Sequence, residues 1–504
     1  MLTDEKSIFA PNERWGLFLF FLILLSGFGV RMYDLKDPPL DFAATRQLRS
    51  AMIARGKYYQ IAEDVQEWKK EVAIKNGGHS MIEPTIMETI VAYTYLLIGE
   101  EQLWIARIYS SFFWCLAGIG LFFLVREAVS VDGAYVALTY YLFNPFGIVA
   151  SRSFQPDPLM VSLIIFSWWA FYKWFKLSDW KWAILAGLSS GAAMLVKSTA
   201  VFFLLGGMAV LAILKKNIGK IIRDAQVWLI ALLAGLPVLI YHVYGVFFVG
   251  TLGKQFRGRF FPGMLVEMDY YRSLKNALIA VAAHELILIL GLIGLIYFVG
   301  KKDFGFLLGI WLGYGLLSVV FTYHSTTHYY YHLPAIPLLA ISLAGTAELI
   351  FSWIQHLKIK VFFQIGLVLL VVLGVGGGHY LLFQDDYRNE PYFYHKVANF
   401  VPQDSRKIVL SQDYGNRIDY FGWISSKPWS DPGNIDYAQP YSENKKVYGK
   451  GFKEITSRFD YFIITRLRVF RNNTYLYRHL HENYPVFKEG GGYIIFDLTR
   501  IKDS

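Results

Sequence analysis

The fold class this sequence predicts is a polytopic α-helical membrane protein of about eleven spans. It carries a long first exterior loop with juxtamembrane helices and a small C-terminal extracytoplasmic α/β domain. Three observations carry that reading. Of the 504 residues, 55% are hydrophobic, more than a soluble domain usually holds. Several apolar stretches run about 18 residues or longer, enough to cross a hydrocarbon core about 30 Å thick. From Gln384 the composition shifts to Asp, Asn, Tyr and Lys, with short apolar runs bounded by turn residues.

The spans are expected at about 15–33, 103–125, 131–149, 158–175, 181–196, 199–214, 226–248, 277–299, 304–322, 330–352 and 360–382. The first, Trp15 to Val30, lacks a small-residue cleavage site and continues into Arg31-Met32-Tyr33, so it reads as an anchor. The apolar stretch Pro84 to Ile98 would reach only about 22 Å as a helix. It is therefore expected to be juxtamembrane or re-entrant. With that choice the basic loops at Arg126, Lys173 to Lys181, Lys215 to Arg223, Lys301-Lys302 and Lys358 to Lys360 all fall on the cytoplasmic side. The loop after the first span falls outside, yet holds Arg46, Arg49, Arg55, Lys57, Lys69, Lys70 and Lys75. A basic exterior loop breaks the positive-inside pattern and asks for an anionic partner such as phosphate.

The expected domains are a membrane domain at 1–383, with the first exterior loop at 34–100, and an extracytoplasmic domain at 384–504. In the latter, Lys407-Ile-Val-Leu, Tyr461-Phe-Ile-Ile and Tyr493-Ile-Ile-Phe read as strands. Helices are expected near Tyr392 to Phe400 and Asn473 to Asn483. The net charge of +10 suits anionic headgroups and does not require nucleic acid. With Cys115 as the one cysteine, no disulfide or cysteine-based metal site forms within one chain.

The candidate chemistry lies in the exterior segments. Asp41 precedes the amphipathic stretch Phe42 to Arg55, where Arg46 and Arg49 share a helical face. It suits either a helix N-cap or a general base toward an acceptor hydroxyl. Glu83, before Pro84, suits first-turn charge or substrate binding. Asp157 sits between two prolines in Gln155-Pro-Asp-Pro158, at a helix entrance. Lys197-Ser198 interrupts an apolar hairpin, and an interfacial lysine either snorkels or finds a partner. Lys254, Arg257 and Arg259, beside Phe260 and Phe261, could clamp a lipid phosphate or anchor the interface. His324, His328 and His332 recur every four residues. Hydrogen bonding to a sugar or phosphate is favoured over a metal for one or two of them. Tyr329-Tyr330-Tyr331 fits an interfacial aromatic belt.

Together these features resemble the GT-C glycosyltransferases, in particular the protein mannosyltransferase and aminoarabinose transferase group. The residues that carry the resemblance are the exterior acid Asp41, the acid-Pro entrance at Glu83, Gln155-Pro-Asp157-Pro, Leu195-Val-Lys197-Ser198, Tyr329-Tyr-Tyr-His332-Leu-Pro334-Ala-Ile-Pro337 and Arg417-Ile-Asp-Tyr420. The resemblance covers the membrane region, about residues 15–382, and the tail adds the Arg417 to Tyr420 stretch. It implies transfer of a sugar from a polyprenyl-phosphate carrier to a lipid, glycan or protein acceptor on the extracytoplasmic face of a cell (plasma or inner) membrane. It implies no nucleotide, and leaves a divalent cation as an alternative rather than a requirement. On it, Asp41 and Asp157 are the catalytic candidates, and Lys197, Arg257, Arg259 and Arg46 hold the donor phosphate. Glu83, His328, Tyr329 and His332 bind substrate. The sequence departs from the group where Phe42 follows Asp41 in place of a second acid. It departs again at Glu83, where aminoarabinose transferases carry lysine, which leaves the donor sugar open. The alternatives are a transporter or flippase of a lipid-linked anionic glycan, a ligase moving a whole glycan, and a non-catalytic subunit of a glycan assembly complex. The absence of a clear internal repeat weighs against a transporter.

Overall fold

The computed structural model describes residues 7–78, 82–215, 218–250, 252–255, 259–301, 304–354, 360–429 and 456–502. The chain divides into two compact units. One comprises Met1–Leu35, Met81–Ile86 and Trp104–Asp385, the other Lys36–Ser80, Met87–Leu103 and Asp386–Ser504.

The first unit is helical. Among the described residues six helices are long and apolar enough to cross a membrane: Glu13–Arg31, Trp104–Ala128, Asp157–Leu177, Ala225–Phe248, Tyr329–Ser352 and Lys360–Phe383. The expected spans at 181–196, 199–214 and 304–322 form the shorter apolar helices Trp180–Val196, Ala200–Lys215 and Phe304–Val320. Two expected boundaries are corrected. The span at 131–149 stops at Phe143, because Asn144 caps a new short helix, Pro145–Ala150, and proline cannot continue the old one. The span at 277–299 breaks between Met268–Ala282 and Glu285–Phe298, which meet at 90°. Ala283 takes a left-handed backbone there, and the His284 side chain caps the second helix.

Packing in this unit uses small residues and polar contacts, as lipid-embedded helices do. Ser167 and Ser190 join Asp157–Leu177 to Trp180–Val196 through a 2.6 Å hydrogen bond. Trp168 donates to the Phe203 carbonyl. Helices Ala200–Lys215 and Phe304–Val320 meet at glycines, where a Cβ on Gly313 would lie 1.9 Å from the Phe202 carbonyl oxygen. Gly313→Leu is therefore expected to cost about 1–3 kcal/mol by overpacking, read as a lower thermal midpoint of the full chain in detergent.

Among the described residues, three fully buried arginines bind backbone carbonyls. Arg31 donates to the Gly27 and Leu142 carbonyls and to Ser151. Arg107 and Arg152 both donate to the carbonyl of Asp34, and Arg152 also to that of Tyr33. They fix the chain where it leaves the first helix. An isolated charge in such a place would be costly.

Among the described residues the second unit holds a five-stranded sheet of β1 Lys407–Leu410, β2 Ser426–Pro428, β3 Tyr461–Ile464, β4 Val486–Gly490 and β5 Tyr493–Asp497. The order is β2-β1-β3-β5-β4, with β1 parallel to β2 and β3 and the β3-β5 and β4-β5 pairs antiparallel. The expected strands at Lys407, Tyr461 and Tyr493 are all present, as are the helices Glu390–Ala398 and Thr474–Asn483. Phe462, Ile464, Phe470, Leu476, Leu480 and Phe496 form the core.

The first-loop helices Ala44–Ile61 and Glu67–Gly77 belong to the same unit. Arg55 joins them to the tail: its guanidinium pairs with Glu101 at 2.9 Å, donates to the Tyr420 carbonyl at 2.6 Å, and lies 3.6 Å from the Tyr420 ring and 4.0 Å from that of Trp423. Arg55 thus serves as a structural tie in this otherwise anomalous basic loop.

Candidate active site

In the first unit the site grows from two helix ends. Asp157 opens helix Asp157–Leu177 with Pro158 in its first turn. Lys197 ends helix Trp180–Val196 in an extended conformation, and the chain turns through Ser198 and Thr199 into the next helix. The two ends meet: Lys197 Nζ donates to Asp157 Oδ1 at 2.7 Å, with the Asp157 side chain wholly buried and that of Lys197 only 5% exposed. Asp157 Oδ2 is also buried and has no hydrogen-bond partner. The Lys197 ammonium lies 4.6 Å from the ring centres of both Tyr330 and Tyr331. Carboxylate and ring faces together offset the cost of burying the cation.

Basic side chains gather near Lys197. The segment 322–332 is a short helix, Thr322–Thr327, followed by a 3-10 turn, Tyr329–His332. This break separates the three histidines that a single helix would have aligned. His324 and His328 stay together, with ring centres 5.1 Å apart, and His324 also meets Tyr331 at 5.3 Å. Burial pushes the His324 imidazole down to about 3, aided by the positive charges of His328, Arg259 and Lys197. Its Nδ1 is buried without a hydrogen-bond partner. Arg259 lies 5.4 Å from the Phe321 ring.

His332 is fully buried and already engaged: Nδ1 accepts from Tyr314 at 2.5 Å and Nε2 donates to the Ser325 carbonyl at 2.7 Å. It orders the turn and has no ring nitrogen left for substrate. Tyr329 is exposed, so Tyr330 and Tyr331 take the place beside Lys197. Arg257 lies outside the described residues. Among the described residues, no group of three or more His, Cys, Asp or Glu is arranged to hold a metal ion.

The depressed His324 value has a consequence for stability. Its folded pKa of about 3 lies below the unfolded value of about 6.5, so the unfolded chain binds the proton more readily. The contribution is fully present above about pH 6.5 and is lost as pH falls toward 3. His324→Gln is expected to show a smaller drop in thermal midpoint between pH 7 and pH 4 than the native chain.

An apolar cavity of about 1050 Å³ begins at Ser198, next to Lys197. It runs between four helices, Asp157–Leu177, Trp180–Val196, Ala200–Lys215 and Ala225–Val243, lined by residues such as Val201, Leu205, Met208, Ala234 and Val238. Basic groups near an apolar cavity suit an amphiphile with an anionic head. Glu83 is half-buried and lies near Tyr241 of helix Ala225–Val243.

In the second unit, Asp41 is half-buried and accepts from Gln47 Nε2 at 3.1 Å. The same amide donates to the Phe42 carbonyl at 2.7 Å. Helix Ala44–Ile61 is preceded by Ala43 in a left-handed conformation, with no side-chain cap. Asp41 is therefore not the cap of that helix, which removes one of its two sequence readings. Arg46 and Arg49 lie on this helix, both half-buried.

Residues 83–244 match the family described as dolichyl-phosphate-mannose-protein mannosyltransferase, a stretch that includes Glu83, Asp157 and Lys197. No curated protein sequence matches the chain. Among solved structures, the chain is similar to ArnT from Cupriavidus metallidurans bound to undecaprenyl phosphate, at 13% identity and TM-score 0.55, over 96% of this chain and 98% of that one. The apo state of the same protein aligns at 14% identity and TM-score 0.56, over 96% and 97%. The Archaeoglobus fulgidus oligosaccharyltransferase in complex with Zn and sulfate aligns at 11% identity and TM-score 0.55, over 89% of this chain and 68% of that one. The chain has the GT-C glycosyltransferase fold, a helical membrane domain with a small C-terminal sheet domain, and its residues 83–244 match the protein mannosyltransferase family.

Proposed function

We propose that the protein is an integral-membrane glycosyltransferase. It moves a sugar from a polyprenyl-phosphate carrier to a lipid, glycan or protein acceptor on the extracytoplasmic face of the cell membrane. The observation that carries this reading is the grouping of Lys197, Arg259, His324 and His328 near an apolar cavity of about 1050 Å³ that Ser198 lines. Fixed cations aimed at an oxygen that gains charge during reaction lower the barrier to its departure. The cavity offers an isoprenoid tail a dry path along the helices. The undecaprenyl phosphate bound to ArnT, a protein of the same fold, makes a polyprenyl phosphate the first ligand to test.

In this mechanism Asp41 accepts the proton of the acceptor hydroxyl as its oxygen attacks the anomeric carbon. The bond from that carbon to the phosphate oxygen breaks, and polyprenyl phosphate leaves with the electron pair. One displacement inverts the anomeric centre. Asp157 holds Lys197 in place through Oδ1, and Lys197 and Arg259 meet the charge on the departing phosphate. Glu83, Arg46 and His328 contribute to substrate binding. Neither nucleotide nor metal is assigned a step, and the effect of EDTA on transfer tests the second part.

Mass spectrometry of extracytoplasmic glycans from cells with and without the protein tests the proposal. Loss of one glycan modification without accumulation of its lipid carrier on the cytoplasmic side supports transfer. Unchanged modification, or a carrier trapped inside, points to assembly or flipping instead.

A further inference from the structure

Asp41 lies midway along a loop held at both ends by residues more than three hundred positions later. At one end, Asp37 accepts from the Tyr387 backbone N–H at 3.0 Å. At the other, the Thr45 hydroxyl donates to Asp413 Oδ1 at 2.9 Å, and Asn416 Nδ2 donates to the Thr45 carbonyl at 3.3 Å. Asp413 is itself fixed: its Oδ2 accepts from Arg417 Nε at 2.5 Å, and Arg417 reaches Glu390 at 3.1 Å.

The backbone on both sides of this junction is strained. Ala43 has φ 47° and Asp413, Tyr414 and Gly415 have φ 52°, 57° and 87° in succession. Left-handed conformations at non-glycine residues are unfavourable and persist where surrounding contacts hold them, often beside reacting groups. A helix start that needed only stability would not require the unfavourable Ala43 backbone. Here that backbone returns the chain so that Gln47, in the first turn of the helix, reaches back to Asp41.

We propose that the C-terminal segment positions Asp41, with Thr45 and Asp413 as the positioning pair and Gln47 as the contact that passes their placement to the carboxylate. This rests on the reading of Asp41 as the general base. The tail then acts in catalysis by aiming the base, in addition to any part it has in holding acceptor. A displacement of a reacting group by about 1 Å can cost about a hundredfold in rate.

The test uses the full chain in membranes, with transfer read by glycan mass spectrometry, binding read with undecaprenyl phosphate as the probe, and folding read by thermal midpoint. Thr45→Val is expected to lower transfer by about tenfold or more with undecaprenyl phosphate binding and midpoint unchanged. Thr45→Ser, which keeps the hydroxyl, is expected to restore transfer. On an Asp41→Asn background, Thr45→Val is expected to cause no further loss. The proposal is overturned if Thr45→Val transfers normally, if it loses transfer and midpoint together, or if Thr45→Ser is equally impaired. If Asp41→Asn alone retains full transfer, the assignment of the base itself is wrong, an outcome separate from all of these.

Discussion

Asp41→Asn is expected to lower sugar transfer by about 10²–10⁴-fold, the usual worth of a positioned general base. Its thermal midpoint and its affinity for undecaprenyl phosphate are expected to match those of the native chain. The structural grounds are local. Asn keeps an oxygen that accepts from Gln47, so the 3.1 Å contact survives. Because Asp41 does not cap helix Ala44–Ile61, the helix start is untouched. What disappears is the carboxylate proposed to accept the hydroxyl proton. Initial rates of transfer, compared with the midpoint on the same preparation, separate a lost base from a damaged fold.

The second large effect concerns the Asp157–Lys197 pair. Asp157→Asn takes the carboxylate from the Lys197 ammonium, and Lys197→Met takes the ammonium from a carboxylate at a fully buried site. Removing one partner of a buried pair costs about 3–5 kcal/mol, so either variant is expected to lose much of its thermal stability in detergent. The double variant Asp157→Asn/Lys197→Met removes both charges and is expected to regain most of that stability. It is not expected to regain transfer, because the cation proposed to meet the departing phosphate is gone. Equal recovery of stability and transfer would show the pair to be structural only. The same experiment probes Asp157 Oδ2, which lies buried without a partner.

The parts legible in the sequence are those in which one residue type in one local setting decides the outcome. The strands at Lys407, Tyr461 and Tyr493 follow from short β-branched and aromatic runs between turn residues, and the sheet contains all of them. Asp157 and Lys197 were each visible because a charge beside a long apolar run needs a reason. Their 2.7 Å contact was not visible, since it depends on two helix ends forty residues apart meeting in space. The break at Asn144-Pro145 carried its own signal in the proline, and hydropathy averaged across it. The 90° bend at Ala283-His284 left no such mark: a left-handed alanine is a tertiary outcome.

The histidine run shows the limit of periodic reading. On a single helix the four-residue spacing would give one face, but the segment is a short helix to Thr327 and a 3-10 turn from Tyr329. His332 then turns inward to Tyr314 while Tyr330 and Tyr331 reach Lys197. The basic first loop changed meaning in a similar way. Its charges suggested a phosphate clamp, yet Arg55 is committed to Glu101, Tyr420 and Trp423. No local pattern could have shown that a first-loop arginine belongs to the C-terminal unit.

The central claim is that this chain transfers a sugar from a polyprenyl-phosphate carrier. The most direct measurement follows radiolabel from polyprenyl-phosphate mannose, and in parallel from polyprenyl-phosphate aminoarabinose, in proteoliposomes holding the purified full chain and an envelope-lipid extract as acceptor. The expected result is label appearing on an acceptor with release of free polyprenyl phosphate from one of the two donors, abolished by Asp41→Asn. Label that crosses the bilayer still attached to its carrier, or release that proceeds equally with Asp41→Asn, would contradict the account.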